Sequence, residues 1–250
     1  MEEVQMSKYD FEINLNVEST PTRIIKLVGR NKQVLEFGCA TGYMGKVLKE
    51  HLGCEVVGIE RDAEAAEQAK RFCKRVIVKD CETMNYKEEF RSEIFDVIIF
   101  ADILEHLVNP QAVLEGVRGL IRSGGYVVVS IPNIAHASVI LELLSGEFTY
   151  RPLGILDNTH LRFFTRKSVE ELFEKSGYLI SLIDRVKVPP AATEFRTVES
   201  NYPPEVVRFI KERPDTYTYQ FIIKAFPSTE AGYVAQLGER IKELNVAYRR

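Results

Sequence analysis

Glycine and acidic residues stand where several short apolar runs of the sequence end. Gly38 and Gly42 follow the run VLEF, which contains Glu36. Glu60 ends the run VVGIE, and Asp80 follows the run VIVK. Glycine permits backbone angles and a close ligand approach that a side chain would block. A carboxylate such as Glu60 can accept hydrogen bonds from both hydroxyls of a ribose, and Asp80 can accept one from an adenine amino group.

A nicotinamide dinucleotide is the first alternative ligand, because it also binds where a glycine loop leads into a helix. Its fingerprint G-x-G-x-x-G requires glycine at the positions of Ala40 and Tyr43, which disfavours an NAD-dependent oxidoreductase. Glu60 has an alternative role as the cap of the following helix. Asp62 competes for that role and leaves Glu60 available to a ligand.

Short β-branched runs alternate with amphipathic helices over the first half of the chain. The predicted strands are 33–37, 55–60, 76–79, 95–100 and 125–131, and the predicted helices between them are 43–52, 63–73 and 111–122. An earlier helix opens at Thr20, as its cap, with Pro21 in its first turn, and closes at Gly29. The alternation predicts an α/β fold with a doubly wound, mainly parallel sheet and helices on both faces.

The pattern changes after residue 131. A short helix at 138–144 and an aromatic loop precede a helix that begins near Thr165 or Ser168, with Ser168 and Glu171 as a capping box. Strands at 178–188 and 216–226 flank a helix at 204–213, which predicts an antiparallel element at one sheet edge.

We predict one domain over residues 1–228, in which a segment of about 134–165 binds the acceptor of the reaction. The C-terminal residues 229–250 form a predicted helix with apolar residues three and four apart. This helix either packs on its own domain or joins two copies of the chain as a coiled coil in a homodimer.

Composition excludes several classes of protein. A formal net charge of −3 disfavours a nucleic-acid substrate, because proteins that grip phosphate backbones usually concentrate Lys and Arg. No run approaches the ~20 apolar residues of a membrane span, and the first residues lack the pattern of a secretory leader. The four scattered cysteines are predicted to be reduced thiols, as in a cytoplasmic protein.

Five segments together resemble successive motifs of class I S-adenosylmethionine-dependent methyltransferases. They are VLEFGCATGYMG, VVGIERD, VKDCE, FDVIIFADILEHL and SGGYVVVSIPN, and the resemblance covers roughly residues 20 to 185. The family's loop usually has glycine where this chain has Ala40. The resemblance implies an enzyme that uses S-adenosylmethionine. It implies that Glu36, Gly38, Cys39 and Gly42 surround the methionine part, Glu60 and Arg61 the ribose, Asp80 and Cys81 the adenine, and Ala101 and Asp102 the methyl donor.

Later segments narrow the resemblance to a subgroup. Residues 131–133 and NTHLRFFT (158–165) resemble members found with bacterial sugar and surface-polysaccharide genes. This implies O-methylation of a small hydroxyl-bearing acceptor, such as a nucleotide-linked or lipid-linked sugar. Apolar walls for it are predicted at Tyr150, Phe163 and Phe164, and phosphate contacts at Arg151 and Arg162.

A hydroxyl acceptor must lose its proton, so a base is expected, and the chain has four histidines. His106 and His136 follow the fourth and fifth strands, and His160 lies in the aromatic loop. All three are expected to face the crevice outside the strand ends, where open α/β sheets bind ligands. Each has an alternative role in a cap or a loop, whereas His51 is predicted to be a surface residue.

The spacing D-x-x-E-H of Asp102, Glu105 and His106 resembles the metal-binding E-x-x-E-H segment of quinone-pathway O-methyltransferases. On one helical face these side chains could hold a divalent cation that activates a hydroxyl. We predict no metal and take His106 as a base or positioning group. The alternatives are a metal-assisted quinone or phenol O-methyltransferase and a non-catalytic, cofactor-binding assembly module.

Overall fold

The computed structural model describes residues 13–228, so the predicted C-terminal helix lies outside the described residues. Its helices are α1 (Thr20–Val28), α2 (Tyr43–Leu52), α3 (Ala63–Ala69), α4 (Tyr86–Phe90), α5 (Pro110–Val117), α6 (Ala137–Leu144), α7 (Arg166–Lys175) and α8 (Pro204–Lys211). Its strands are β1 (Gln33–Phe37), β2 (Glu55–Glu60), β3 (Arg75–Val78), β4 (Phe95–Ala101), β5 (Ile121–Pro132), β6 (Tyr178–Lys187) and β7 (Thr218–Pro227).

The seven strands form one sheet in the order β3-β2-β1-β4-β5-β7-β6. Strands β1 to β5 pair in parallel, and β7 runs antiparallel to both β5 and β6. The predicted doubly wound sheet with an antiparallel edge is therefore confirmed. Because the chain moves outward from β1 in one direction and from β4 in the other, the order reverses between these two strands, and ligands of open α/β sheets bind at this switch point.

Strand β4 shows why the middle of the sheet is apolar on both faces. Ile98 and Phe100 pack with the cluster that includes α5 and α7, whereas Val97 and Ile99 pack with α1 and α2 on the opposite face. Successive side chains of a strand point to opposite faces, so a central strand needs an unbroken apolar run. The run FDVIIFA meets this requirement and fixes the carboxyl end of β4 beside that of β1.

The capping residues of two predicted helices were wrong: Thr20 does not cap α1, and the capping box of α7 is not formed by Ser168 and Glu171. The predicted start of α7 near Thr165 is confirmed. Helix α1 is capped by Ser19, whose side chain accepts from the amide of Thr22, and Thr20 is already helical. Helix α7 is capped by Thr165, which forms the capping box with Ser168. Both serine and threonine can cap a helix, and in each case the cap is the residue whose backbone is still extended.

The 134–165 segment leads from β5 to α7 and lies beyond the carboxyl ends of the parallel strands. It contains α6 and a long loop that is tied back by isolated bridges between Asn133 and Phe164 and between Arg151 and Asp157. Among residues 13–228 no helix is long and apolar enough to cross a membrane.

Candidate functional site

The loop after β1 needs glycine for packing as well as for backbone conformation. Gly38 and Gly42 have φ values of +65° and +82°. A Cβ on Gly38 would lie 2.1 Å from Cδ1 of Ile103, and one on Gly42 would lie 2.9 Å from Cα of Ala69. The loop is thus in direct contact with the segment that follows β4, and both segments meet at the switch point of the sheet.

Glu60 fixes this loop from the neighbouring strand. One carboxylate oxygen of Glu60 accepts from the amide of Ala40 at 2.9 Å, and the other accepts from the amide of Asp62 at 2.9 Å. Asp62 caps α3, accepting from the amides of Glu64 and Ala65, as its competition with Glu60 predicted. Each oxygen of Glu60 retains a second lone pair that a ribose hydroxyl can use.

Ala40 adopts a left-handed conformation, with φ of +46°, at the position where the resemblance expects glycine. This conformation costs an L-residue roughly 1–2 kcal/mol, which glycine's greater freedom in the unfolded chain partly offsets. We expect Ala40→Gly to raise the free energy of unfolding by up to about 1 kcal/mol, measured by urea denaturation. In Ala65→Gly, where the residue is helical, the same change should lower it. If Ala40→Gly lowered the free energy of unfolding as much as Ala65→Gly does, the backbone of Ala40 would not be strained and this prediction would be wrong.

Glu36 lies beneath the glycine loop and is 1% exposed. Its Oε2 atom has no hydrogen-bond partner among the described residues. Burial raises the pKa of Glu36 well above its ordinary value. A buried acceptor without a donor, next to a glycine loop, fits the polar methionine end of S-adenosylmethionine.

The predicted adenine and ribose residues beyond Glu60 line the next two strand ends. Arg61 and Asp80 are exposed, and Cys81 is half-buried against the apolar cluster that contains Phe37. Asp80 accepts from the amide of Glu82 and so turns the chain after β3. Cys39, by contrast, is completely buried, and its side chain contacts the position of Gly58 on β2.

Asp102 follows Ala101 at the end of β4 with a left-handed backbone, φ +54°. Its Oδ1 atom accepts from the Ser130 hydroxyl at 3.0 Å and from the side-chain amide of Gln220. Burial raises the pKa of Asp102 to about 6, although these two hydrogen bonds lower it. The sequence analysis did not single out Ser130 within the motif SGGYVVVSIPN on β5, and Gln220 on β7 belongs to no recognisable motif.

The predicted single helical face of D-x-x-E-H was wrong. Only residues 104–106 form a short 3-10 turn, and the carboxylate of Asp102 instead contacts Ser130 on β5. Glu105 and His106 instead meet His160 from the 134–165 segment. The ring centroids of His106 and His160 are 4.8 Å apart and nearly perpendicular.

Hydrogen bonds define the state of both rings. The Nδ1 atom of His106 lies 3.2 Å from both the carbonyl and the hydroxyl oxygen of Thr159. The Nδ1 atom of His160 donates to the carbonyl of Ile155 at 3.0 Å. Burial lowers the pKa of His106 below its ordinary value, so the ring is neutral and able to accept a proton at pH 7.

Glu105 is 1% exposed, and neither of its carboxylate oxygens has a partner among the described residues. Burial raises its pKa well above the ordinary value. One ligand atom each from Glu105, His106 and His160 lies within 4.8 Å of the others. This set can either share a proton or hold a divalent cation.

His136 makes different hydrogen bonds from His106 and His160. It caps α6: its Nδ1 atom accepts from the amide of Ser138 at 3.2 Å, and its Nε2 atom donates to the carbonyl of Val188 at 2.9 Å. Both ring nitrogens are therefore used by the backbone, which gives His136 a structural role. His51 is exposed in the last turn of α2, as predicted.

The predicted acceptor walls divide into two groups. Tyr150 and Phe163 form a three-ring cluster with Phe148, with centroids 5.5–6.4 Å apart, and Phe163 lies 6.3 Å from the His160 ring. The prediction that Phe164 forms a wall was wrong, because Phe164 is buried in the main core. Arg151 is paired with Glu142 at 3.1 Å and stacked on Phe195. Arg162 is exposed and donates to the carbonyl of Val108.

Known structures share this architecture. A SAM-dependent methyltransferase from Archaeoglobus fulgidus superposes with a TM-score of 0.57 at 18% identity, over 81% of this chain and 89% of that one. The magnesium protoporphyrin IX methyltransferase of Synechocystis PCC 6803, solved with bound SAH, gives 0.56 at 13% identity, over 88% and 90%. At these identities the likeness shows the fold, which is that of class I methyltransferases.

Residues 15–181 match the family described as a methyltransferase domain, and the chain belongs to this family. The ubiquinone biosynthesis O-methyltransferase of Aeromonas salmonicida (strain A449) is 25% identical over 183 residues, which cover 71% of this chain and 76% of that protein. The predicted methyltransferase class is confirmed.

Proposed function

We propose that this chain transfers the methyl group of S-adenosylmethionine to a hydroxyl oxygen of a small molecule, with His106 accepting the hydroxyl proton. The observation that carries the proposal is the contact between Ile103 and Gly38. It brings the segment that bears His106 against the glycine loop at the switch point of the sheet. The base and the methyl donor are thereby held at one crevice.

The residues at this crevice fit the cofactor. Glu36 and the loop of Gly38 and Gly42 would hold the methionine part, Glu60 the ribose hydroxyls, and Asp80 with Cys81 the adenine. Asp102, whose carboxylate is held by Ser130 and Gln220, would line the sulfonium end. When bound, S-adenosylmethionine supplies an electrophilic methyl group on a positively charged sulfur.

The protein's remaining task is to orient the acceptor and remove its proton. A positioned base contributes about a hundred- to ten-thousand-fold in rate. His106 is half-buried and neutral, and its Nδ1 atom is used by Thr159, so Nε2 is the atom that takes the proton. Glu105 and His160 are buried beside the His106 ring, so water is excluded from that side of the ring.

A sugar or polysaccharide precursor is the acceptor that we propose. The ring cluster of Phe148, Tyr150 and Phe163 leads away from His160 and is largely exposed, so the apolar face of a sugar ring can pack on it. Exposed Arg162 lies beside this crevice and can meet a phosphate of a nucleotide-linked or lipid-linked sugar.

A metal-assisted quinone or phenol O-methyltransferase is the second candidate. Glu105, His106 and His160 can supply three ligands, and within residues 13–228 the carboxylate of Glu105 has no hydrogen-bond partner that would compete with a cation. The curated relative from Aeromonas salmonicida is named for O-methylation in ubiquinone biosynthesis. A flat phenol ring would use the same aromatic cluster.

Screening for the acceptor separates these candidates. We expect labelled methyl transfer to sugar nucleotides or lipid-linked sugars, and unchanged transfer after exhaustive chelation. Transfer to phenolic or quinone acceptors that is abolished by chelator and restored by magnesium would instead support the second candidate. Glu105→Gln serves as a control, since it should mimic chelation only if a cation is bound.

Two further predictions remain to be tested in solution. A non-catalytic assembly module would bind S-adenosylmethionine and yield no product with any acceptor in the screen.

The homodimer through residues 229–250 predicts that deleting them converts a dimer into a monomer in light scattering. Free cysteines throughout residues 13–228 are consistent with the proposed cytoplasmic location.

A further inference from the structure

We infer that Asp157, acting through Thr159, holds the His106 ring in the tautomer with its hydrogen on Nδ1. The two residues are positioning residues, since neither is placed to touch the reacting atoms. The inference rests on the proposed function, in which the Nε2 atom of His106 is the base. It assigns a role to Thr159 of the NTHLRFFT motif and to Asp157 immediately before it, neither of which the cofactor site uses.

Asp157 is 4% exposed. Its Oδ1 atom accepts two hydrogen bonds from Thr159, from the backbone amide at 2.9 Å and from the hydroxyl at 2.6 Å. The single hydroxyl hydrogen of Thr159 is therefore directed at Asp157. What this hydroxyl can offer to His106 is its lone pairs.

The Nδ1 atom of His106 lies 3.2 Å from the hydroxyl oxygen and 3.2 Å from the carbonyl oxygen of Thr159. Both oxygens act as acceptors, so Nδ1 must carry the hydrogen. A neutral imidazole has one donor and one acceptor nitrogen, which makes Nε2 the acceptor. Without the carboxylate of Asp157, the Thr159 hydroxyl could turn and donate to Nδ1, which would favour the opposite tautomer.

The loop that bears Asp157 and Thr159 is attached to the same turn as His106. The amides of Leu161 and Arg162 donate to the carbonyl of Glu105, at 2.8 and 3.0 Å. Asp157 itself closes a turn by accepting at its carbonyl from the amide of His160. The turn after β4 and this loop therefore form one hydrogen-bonded unit, in which the ring is oriented from outside its own strand.

Nuclear magnetic resonance of protein labelled with ¹⁵N-histidine tests the tautomer directly, since the chain has four histidines and His106→Asn assigns the signal. We expect a protonated Nδ1 and an unprotonated Nε2 for neutral His106. Asp157→Ala should shift the ring toward the other tautomer, because the freed Thr159 hydroxyl can then donate to Nδ1. Thr159→Val should keep the hydrogen on Nδ1, because the backbone carbonyl of residue 159 still accepts it. Thr159→Ser and Asp157→Asn should preserve the wild-type tautomer, because a hydroxyl and an amide oxygen can make the same hydrogen bonds.

Turnover provides the second readout once an acceptor is known. Asp157→Ala should lower kcat about ten- to a hundredfold and leave the affinity for S-adenosylmethionine unchanged, whereas Thr159→Val, Thr159→Ser and Asp157→Asn retain activity. A wild-type ring protonated at Nε2, or an Asp157→Ala variant with unchanged tautomer and kcat, would overturn the inference. If the wild-type ring shows the expected tautomer but His106→Asn is fully active, the role of His106 as the base is refuted and the inference about the tautomer is not. The failure of the proposed function and the failure of this inference are therefore distinguishable.

Discussion

The His106→Asn variant is expected to lose methyl transfer about a hundred- to ten-thousand-fold, because the hydroxyl acceptor then lacks its base. Asparagine keeps an N–H donor near the position of Nδ1, so the contact with Thr159 can persist while the proton acceptor disappears. The loss should fall on kcat, since the ring has no part in holding the cofactor. Single-turnover rates with labelled S-adenosylmethionine measure it.

His51→Asn is the matched control, since His51 is exposed in the last turn of α2 and should leave the rate unchanged. Both variants should bind S-adenosylmethionine as the wild type does. A fully active His106→Asn enzyme would contradict the assignment and leave His160 as the remaining candidate, because both nitrogens of His136 serve the backbone.

The Glu60→Ala variant should raise the dissociation constant for S-adenosylmethionine at least tenfold, a loss of about 1.4 kcal/mol. Two causes act together. The carboxylate is lost as an acceptor for the ribose hydroxyls, and the glycine loop loses its hydrogen bond at the amide of Ala40. Isothermal titration calorimetry on the folded variant measures the change.

A ligand without ribose hydroxyls separates the two causes. If Glu60 contacts the ribose, removing the hydroxyls should cost wild-type affinity but little further affinity in Glu60→Ala, as expected for coupled changes. Glu64→Ala, an exposed change in the first turn of α3, should leave binding as in the wild type. Unchanged affinity of Glu60→Ala would refute the ribose assignment.

Much of the cofactor half of the fold could be predicted because its signals are local. The bounds of β1, β2 and α2 were predicted to the residue, since each apolar run ends at a glycine or an acid. The capping role of Asp62 follows from its position one residue before α3. Such local choices also placed Gly38 and Glu60 at one edge of a parallel sheet.

Contacts between distant segments could not be predicted in this way. Gln220 reaches Asp102 across 118 positions of sequence, and no motif marks it. The choice between Ser19 and Thr20 as the cap of α1 also escaped prediction, because both residues have the chemistry and only the backbone conformation decides.

The sheet, the glycine loop and the acids at the strand ends could be predicted from the sequence, because strand alternation and turn chemistry act over a few residues. Which of the three candidate histidines lie together depends on the folded chain. It joined His106 to His160 through a loop anchored on the carbonyl of Glu105, and it committed His136 to a helix cap. Pairing of this kind depends on how a long connection folds back over the strand ends. The spacing of residues along the chain does not predict that path.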